Sequence, residues 1–308
     1  MRAVVVERWG GPENLVEREV ERPEPGLNEV LVRVHAAGVN PVDWKTRTSG
    51  GLIEWGAVPA VGWDVSGTVE AVGPGVGVFR PGDEVFGMPL FPRQAGGYAE
   101  YVVAPARHFA PKPAGLTHVE AAALPLAALT AWQTLVDTAD VRPGERVLVH
   151  AAAGGVGHFA VQIAKARGAY VIGTASAGKH DLVRGLGADE VIDYRAVPFE
   201  DAVSDVDVVL DGIGGETAER SLKVLRPGGR LITLPGSDDV PAAVPDGVRA
   251  EWVMVEPDHL GLREIAALVE RGALRPVVET VLPLSEAAKA HELGERGRTT
   301  GKIVLTVA

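Results

Sequence analysis

The sequence predicts an α/β domain built on a doubly wound parallel sheet, joined to a mostly β domain that is discontinuous in the chain. Three observations predict it. Residues 145–150 are a short apolar run, residues 151–157 (Ala-Ala-Ala-Gly-Gly-Val-Gly) form a small-residue turn, and Val156, Ala160, Ile163, Ala164 and Ala166 then mark one face of a helix. Beyond that unit, strand-like and helix-like runs alternate as far as residue 271. Before residue 118 and after residue 272, short alternating runs are instead divided by Gly and Pro turns.

Taken in order, residues 1 to about 118 read as all-β, with strands expected at residues 2–7, 29–36, 67–72 and 98–103. Pro23-Glu24-Pro25-Gly26, Gly73-Pro74-Gly75 and Arg80-Pro81-Gly82-Asp83 separate them, a spacing that suits a small barrel or sandwich. Residues 117–137 are alanine-rich and helical, with Pro125 placed to end or kink the helix. Strands follow at 145–150, 169–174, 190–193, 206–210, 229–234 and near 248–255, with helices at 155–167, 178–186, 216–225 and 259–271. The chain closes with a strand at 277–282, a helix over 285–293 and a strand at 301–307. That last strand must pair somewhere, and completing the N-terminal β-domain is the expectation. The predicted domains are therefore residues 1–118 with 272–308, and residues 119–271.

Composition excludes several functions. The 308 residues are 46% hydrophobic and carry a net charge of −11, which argues against a nucleic-acid binder. Zero cysteine removes disulfides, thiolate metal ligands and cysteine nucleophiles together. No run of about 18 apolar residues suggests a membrane span, and residues 1–7 lack the pattern of a signal peptide. A soluble, cytoplasmic protein is expected.

A strand, a small-residue turn and a helix together make a site for a dinucleotide pyrophosphate, because backbone amides at the helix N-terminus are free to donate. Contact is expected along Ala153-Gly154-Gly155-Val156-Gly157. Gly154 and Gly157 keep two places of the glycine fingerprint; the first, at position 152, is alanine. The ribose end discriminates between NAD and NADP. The second strand ends Gly173-Thr174-Ala175-Ser176, with Lys179 three residues on and no acid before Asp181. A carboxylate there would repel a 2′-phosphate, whereas a hydroxyl and an ammonium bind it. Lys179 is read as a phosphate ligand, with Ser176 and Tyr194 as donors, and NADPH is expected over NADH.

The residues also resemble the zinc-independent quinone oxidoreductase branch of the medium-chain dehydrogenase/reductase superfamily. The resemblance is carried by residues 37–45 (Ala-Gly-Val-Asn-Pro-Val-Asp-Trp-Lys), 62–69 (Gly-Trp-Asp-Val-Ser-Gly-Thr-Val), 80–85 (Arg-Pro-Gly-Asp-Glu-Val) and 96–101 (Gly-Gly-Tyr-Ala-Glu-Tyr). The turn at 151–157 and the closing Thr300-Gly301-Lys302-Ile303-Val304-Leu305 complete it. It implies a chaperonin-10-like β-domain joined to a Rossmann domain. Zinc-dependent relatives have a cysteine near the position of Asn40 and a His-Glu pair after the equivalent of Gly62, where this chain has Trp63-Asp64. No spacing of Asp64 and the histidines supports a metal site, so none is expected.

Without a Lewis acid an alcohol is a poor hydride donor, since nothing stabilises its alkoxide. The expected acceptor is therefore already electrophilic: a small-molecule quinone, or an enone such as a 2-alkenal. The resemblance places Asn40 beside the nicotinamide ribose and acceptor, although Asn before Pro41 is also an ordinary turn residue. Lys45 is a candidate donor to the ribose or acceptor oxygen, Asp43 orients it or caps a helix, and Tyr98 is a candidate donor to a substrate oxygen. Thr130 matches a family threonine near the nicotinamide, and Lys302 a basic position that reaches the pyrophosphate. Ile213 and Leu234 lie at strand C-terminal ends, where such sheets bind ligands. Trp44, Trp55, Trp63, Met88 and Phe91 offer flat apolar surface for an acceptor, or ordinary core. A non-catalytic NADPH-binding protein is the alternative of another class. A homodimer through the apolar edge near residues 248–255 is expected from the resemblance.

Overall fold

The computed structural model describes residues 1–51, 55 and 58–307. Its strands are β1 (Arg2–Val6), β2 (Leu15–Glu19), β3 (Glu29–Val39), β4 (Asp64–Val72), β5 (Glu84–Gly87), β6 (Tyr101–Pro105), β7 (Phe109–Pro111) and β8 (Arg146–Val149). They continue with β9 (Tyr170–Ala175), β10 (Glu190–Asp193), β11 (Val206–Asp211), β12 (Leu225–Thr233), β13 (Arg249–Trp252), β14 (Val278–Pro283) and β15 (Lys302–Thr306). The helices are α1 (Pro41–Ser49), α2 (His118–Ala122), α3 (Pro125–Trp132), α4 (Gly157–Ala166), α5 (His180–Gly185), α6 (Phe199–Ala202), α7 (Glu216–Ser221), α8 (His259–Glu270) and α9 (Ala287–Glu295). Contacts divide the chain into a first unit of Met1–Leu129, Glu256–Gly272 and Pro276–Ala308, and a second of Thr130–Val255 with Ala273–Arg275.

The first unit is organised by a seven-stranded sheet of order β14-β15-β3-β4-β5-β7, with β6 also paired to β3. Val30, Leu31, Val32, Val34 and Ala36 make β3 almost continuously apolar, and all five are buried. The C-terminal strand β15 pairs antiparallel with it, setting Ile303 opposite Val39. That register brings Lys302 to the end of β3, where α1 begins.

Three details depart from the expected pattern. The first 118 residues are not all-β, because α1 follows β3 directly. Pro41 at its first position needs no N–H partner, the Asp43 carboxylate accepts from the Asn40 N–H at 2.7 Å, and Gly50 (φ 83°) ends it. Tyr98 lies before β6 rather than on a strand, its carbonyl accepting from the Val4 N–H at 2.8 Å. Finally α8, expected in the second domain, makes its contacts in the first unit, where His259 Nδ1 sits 2.7 Å from the Phe109 carbonyl. Pro125 does break the helical stretch: α2 ends at Ala122, α3 starts at Pro125, and a π-helical turn, Gln133–Thr138, follows.

The second unit carries a six-stranded sheet of order β10-β9-β8-β11-β12-β13, every pair of it parallel. Strand order reverses beside β8, so the turn at 151–157 leaves the sheet where a doubly wound fold binds its ligand. Leu148, Ile172, Val206, Val209 and Leu231 from four strands pack with Phe199 and Ala218 from the flanking helices and with Leu222 just after α7. The architecture is that of a Rossmann domain in the second unit and a GroES-like β-domain in the first. Among the described residues no helix is long and apolar enough to cross a membrane.

Candidate functional site

In the second unit, parallel register carries each strand end to the same edge. Val149 pairs with Leu210, Asp211 with Thr233, and Asp193 with Ala175. The residues that follow (the turn at 151–157, Ser176, Tyr194, Ile213 and Leu234) are therefore neighbours along one rim.

The turn has the shape a pyrophosphate needs. The Gly154 N–H bonds the Ala151 carbonyl at 2.8 Å, while the N–H groups of Gly155 and Val156 have no protein acceptor among the described residues. A side chain at Gly157 would place its Cβ 2.2 Å from the Ala151 carbonyl oxygen, so only glycine opens α4 here. Ala152, which stands in for the first fingerprint glycine, is accommodated from the other side. A Cβ on Gly173 of β9 would come within 2.8 Å of the Ala152 methyl, so the missing glycine is found on the neighbouring strand. Ala153 is buried, and Gly154, Gly155 and Val156 are half-buried.

At the ribose end, Ser176 and Lys179 are half-buried, and the Lys179 N–H bonds the Ser176 carbonyl at 2.8 Å. Tyr194 is 53% exposed. Asp181, the nearest acid after β9, projects into solvent and pairs with Arg184 at 3.6 Å. No acid lies between the end of β9 and Asp181, and Asp193, opposite Ala175 on β10, accepts from the Arg195 N–H at 3.0 Å. Ile213, also 53% exposed, is held by Asp211, whose two oxygens accept from the Ile213 and Gly214 N–H groups at 2.9 and 3.1 Å. Burial pushes the Asp211 carboxyl above its usual range. Leu234 is half-buried and its N–H bonds the Asp211 carbonyl at 2.9 Å. Thr130 is nearly buried in α3.

In the first unit, Asn40, Asp64 and Lys302 converge. Lys302 is 3% exposed, and its ammonium donates to the Val39 carbonyl at 2.9 Å, to Asn40 Oδ1, and to Asp64 Oδ2 at 3.3 Å. Asn40 Nδ2 donates to the same Asp64 oxygen at 2.8 Å, and the Leu126 N–H donates to Asp64 Oδ1 at 2.6 Å. Burial raises the Asp64 pKa against the pull of Lys302. The lysine expected at a pyrophosphate has its three N–H bonds committed inside the unit, and Asn40 has both ends of its amide committed beside it.

Tyr98 is fully buried, and its hydroxyl, expected to meet a substrate oxygen, donates instead to Asp43 Oδ2 at 2.8 Å. His291 Nε2 lies 3.3 Å from that hydroxyl. Burial pushes the Asp43 pKa up to about 7 and the His291 pKa down to about 3, Arg47 adding to the latter. Asp43, at the third position of α1, completes the capping box with the N-cap Asn40 rather than pairing with Lys45, which is exposed on the same helix. Trp63 and Met88 are core, with the Trp63 indole N–H donating to the Arg93 carbonyl at 2.7 Å. Trp44, Trp55 and Phe91 are half-buried. Sequence reasoning missed His291 and Arg47, which stand in helices with no motif to mark them. It also missed His150, whose signal was a polar residue closing an apolar strand. Among the described residues no group of three or more His, Asp or Glu is arranged to hold a metal ion.

Comparison with known proteins agrees with this layout. The model of the alcohol dehydrogenase GroES-like domain matches residues 26–114, and that of the zinc-binding dehydrogenase matches residues 186–305. The quinone oxidoreductase of Rattus norvegicus is 36% identical, over 95% of this chain and 93% of its own. The solved quinone oxidoreductase of Coxiella burnetii superposes with a TM-score of 0.93 at 36% identity, covering 100% of this chain and 99% of that one. The Escherichia coli quinone oxidoreductase solved with NADPH gives a TM-score of 0.87 at 30% identity, covering both chains completely. The chain is an NAD(P)H oxidoreductase and belongs to the zinc-independent quinone oxidoreductase branch of the medium-chain dehydrogenase/reductase superfamily.

Proposed function

We propose that the protein is an NADPH-dependent reductase that transfers hydride directly to a quinone or another conjugated carbonyl, without a metal. The observation that supports NADPH most is the rim of the second unit. Two free turn amides share this rim with Ser176, Lys179 and Tyr194, and no acid lies between the end of β9 and Asp181. The amides of Gly155 and Val156 would hold the pyrophosphate, and Gly157 leaves room for it. Ser176, Lys179 and Tyr194 would hold the 2′-phosphate, while Ile213 and Leu234 offer apolar surface to the rest of the cofactor. The bound nicotinamide would supply the hydride.

The protein's own work is then to orient, to exclude water and to place donors toward developing charge on the acceptor oxygen. Lys45, exposed on α1, is the donor to such an oxygen in this proposal. Asn40 and Tyr98 act by fixing the start of α1 through Asp64, Lys302 and Asp43. Thr130 and Lys302 are further cofactor-binding residues of this proposal. A homodimer through the open side of β13, where Trp252 and Met254 are exposed, is part of the same proposal. Sedimentation of a monomer would reject it.

The test is NADPH oxidation against a para-quinone and a 2-alkenal, with and without added zinc. Turnover of either acceptor, indifferent to zinc and much weaker with NADH, supports the reading. Tight NADPH binding without turnover of any conjugated carbonyl would favour the non-catalytic alternative.

A further inference from the structure

The fingerprint's first glycine is missing, yet Ala151 takes a left-handed backbone (φ 49°) that alanine disfavours. Something must hold it there. The Ala151 N–H donates to Thr174 Oγ1 on β9 at 3.3 Å. His150, only 2% exposed, lies between two hydroxyls, with Nδ1 at 3.2 Å from Thr174 Oγ1 and Nε2 at 3.0 Å from Ser221 Oγ. Ser221 spends its single hydroxyl hydrogen on the Thr217 carbonyl at 2.6 Å. Its oxygen must therefore accept from His150, which fixes the proton on Nε2 and leaves Nδ1 bare. Thr174 in turn must point its hydrogen at Nδ1, leaving its lone pairs toward the Ala151 N–H. The result is one directed chain from Ala151 through Thr174, His150 and Ser221 to the Thr217 carbonyl of α7.

The middle of the chain, at Thr174, His150 and Ser221, is buried, while Ala151 at one end is exposed and Thr217 at the other is half-buried. Thr174 is 2% and Ser221 0% exposed, so no water competes for the two bonds to the imidazole. Burial and the nearby Arg220 keep the imidazole neutral by lowering its pKa to about 4. What the chain sets is the direction of the Ala151 carbonyl. That oxygen accepts from the Gly154 N–H at 2.8 Å and is the atom against which Gly157 packs. If Ala151 relaxed to a negative φ, the carbonyl would swing and the free amides of Gly155 and Val156 would turn with it.

We propose that His150 is a positioning residue for the dinucleotide: acting through Thr174, it holds Ala151 in the left-handed conformation that aims the turn amides at the pyrophosphate. This rests on reading residues 151–157 as the pyrophosphate turn. It makes the histidine and threonine the replacement for a conformational freedom that the alanine-rich turn lacks.

The test is calorimetric titration of NADPH into the full-length protein and its variants, alongside thermal unfolding. His150→Leu and Thr174→Val are each expected to raise the dissociation constant about ten-fold, the loss of roughly one hydrogen bond. The turnover number at saturating NADPH should stay near that of the wild type. The double variant should bind no worse than the weaker single one, since both cut the same chain. Ala151→Gly, added to His150→Leu, should regain most of the lost affinity without regaining thermal stability, because glycine takes this φ unaided. Should His150→Leu not fold, Thr174→Val with Ala151→Gly makes the same test. Unchanged affinity in the single variants, or no rescue by glycine, overturns the proposal. A wild type that binds no dinucleotide would instead overturn the cofactor reading beneath it.

Discussion

Each unit buries a polar network beside its candidate site, and the two are built differently. In the second unit the hydrogen-bonded groups themselves, Thr174, His150 and Ser221, are neutral, and each of their bonds has a partner. Around Asp43, Asp64 and Lys302 in the first unit the groups are ionisable, and Asp43 Oδ1, His291 Nδ1 and the Arg47 Nε and Nη1 have no partner among the described residues. A neutral, satisfied chain fixes geometry at small cost. A buried ionic cluster with orphaned atoms depends on every member, because removing one leaves an uncompensated charge. The second unit should therefore tolerate substitution in its network with a loss of binding, and the first should lose stability.

The sharpest way to break the comparison is to remove the buried cation. Lys302→Met leaves Asp64, 0% exposed, short of its ion pair, so unfolding in urea should show a loss of about 3–5 kcal/mol. Adding Asp64→Asn should recover part of it. A loss below about 1 kcal/mol would show that the cluster is solvated and that the contrast between the units is false.

Acidity separates the networks next. Unfolded His150 gains its proton near pH 6.5 and folded His150 only near 4, so stability falls by a few kcal/mol as the pH drops between those values. His291 in the first unit acts in the same direction, from 6.5 down to about 3. Asp43 acts in the opposite one. Its carboxyl titrates at about 7 when folded and 3.8 when unfolded, so its burial costs progressively more as the pH rises through that range. Chemical denaturation across pH should then show Asp43→Asn removing the loss on the alkaline side. His150→Leu should remove part of the loss on the acid side. If Asp43→Asn leaves the profile unchanged, the carboxyl is not held protonated by burial.

Lys179→Ala probes the rim rather than a core, and its effect should fall on one ligand. A charged hydrogen bond is worth roughly 1.5–3 kcal/mol, so NADPH binding should weaken by about one to two decades. NADH binding should hardly change. Smallest of all is the surface control: Arg249 and Glu251, 3.4 Å apart with side chains 56% and 41% exposed, form an ion pair open to water. Arg249→Ala should shift stability by no more than about 0.5 kcal/mol.

Most of the fold was legible because its signals are local. A run such as residues 145–150 is too apolar to be anything but buried, and Gly154 and Gly157 mark a turn whose backbone must approach a ligand or a neighbour. The α1 helix was missed because Asn40 before Pro41 reads as a turn, and a capping role for Asp43 does not say which helix it caps until its bond from the Asn40 N–H is seen. The roles of Lys302 and Tyr98 were not legible for a different reason. Lys302 meets Asn40 across 262 positions of sequence, and nothing near either residue records that pairing. Gly173 and Ala152 make the same point at the cofactor turn: each looks unremarkable alone, and only the parallel pairing of β8 with β9 shows that one makes room for the other.

The central claim is that the strand ends of the second unit form an NADPH site. The most direct measurement is the pair of dissociation constants of the wild-type protein for NADPH and NADH at one ionic strength, with Lys179→Ala beside it. The account predicts NADPH tighter by at least about ten-fold, and a variant in which that preference is largely gone. Equal affinity for the two cofactors, or a preference that survives the loss of Lys179, would contradict it.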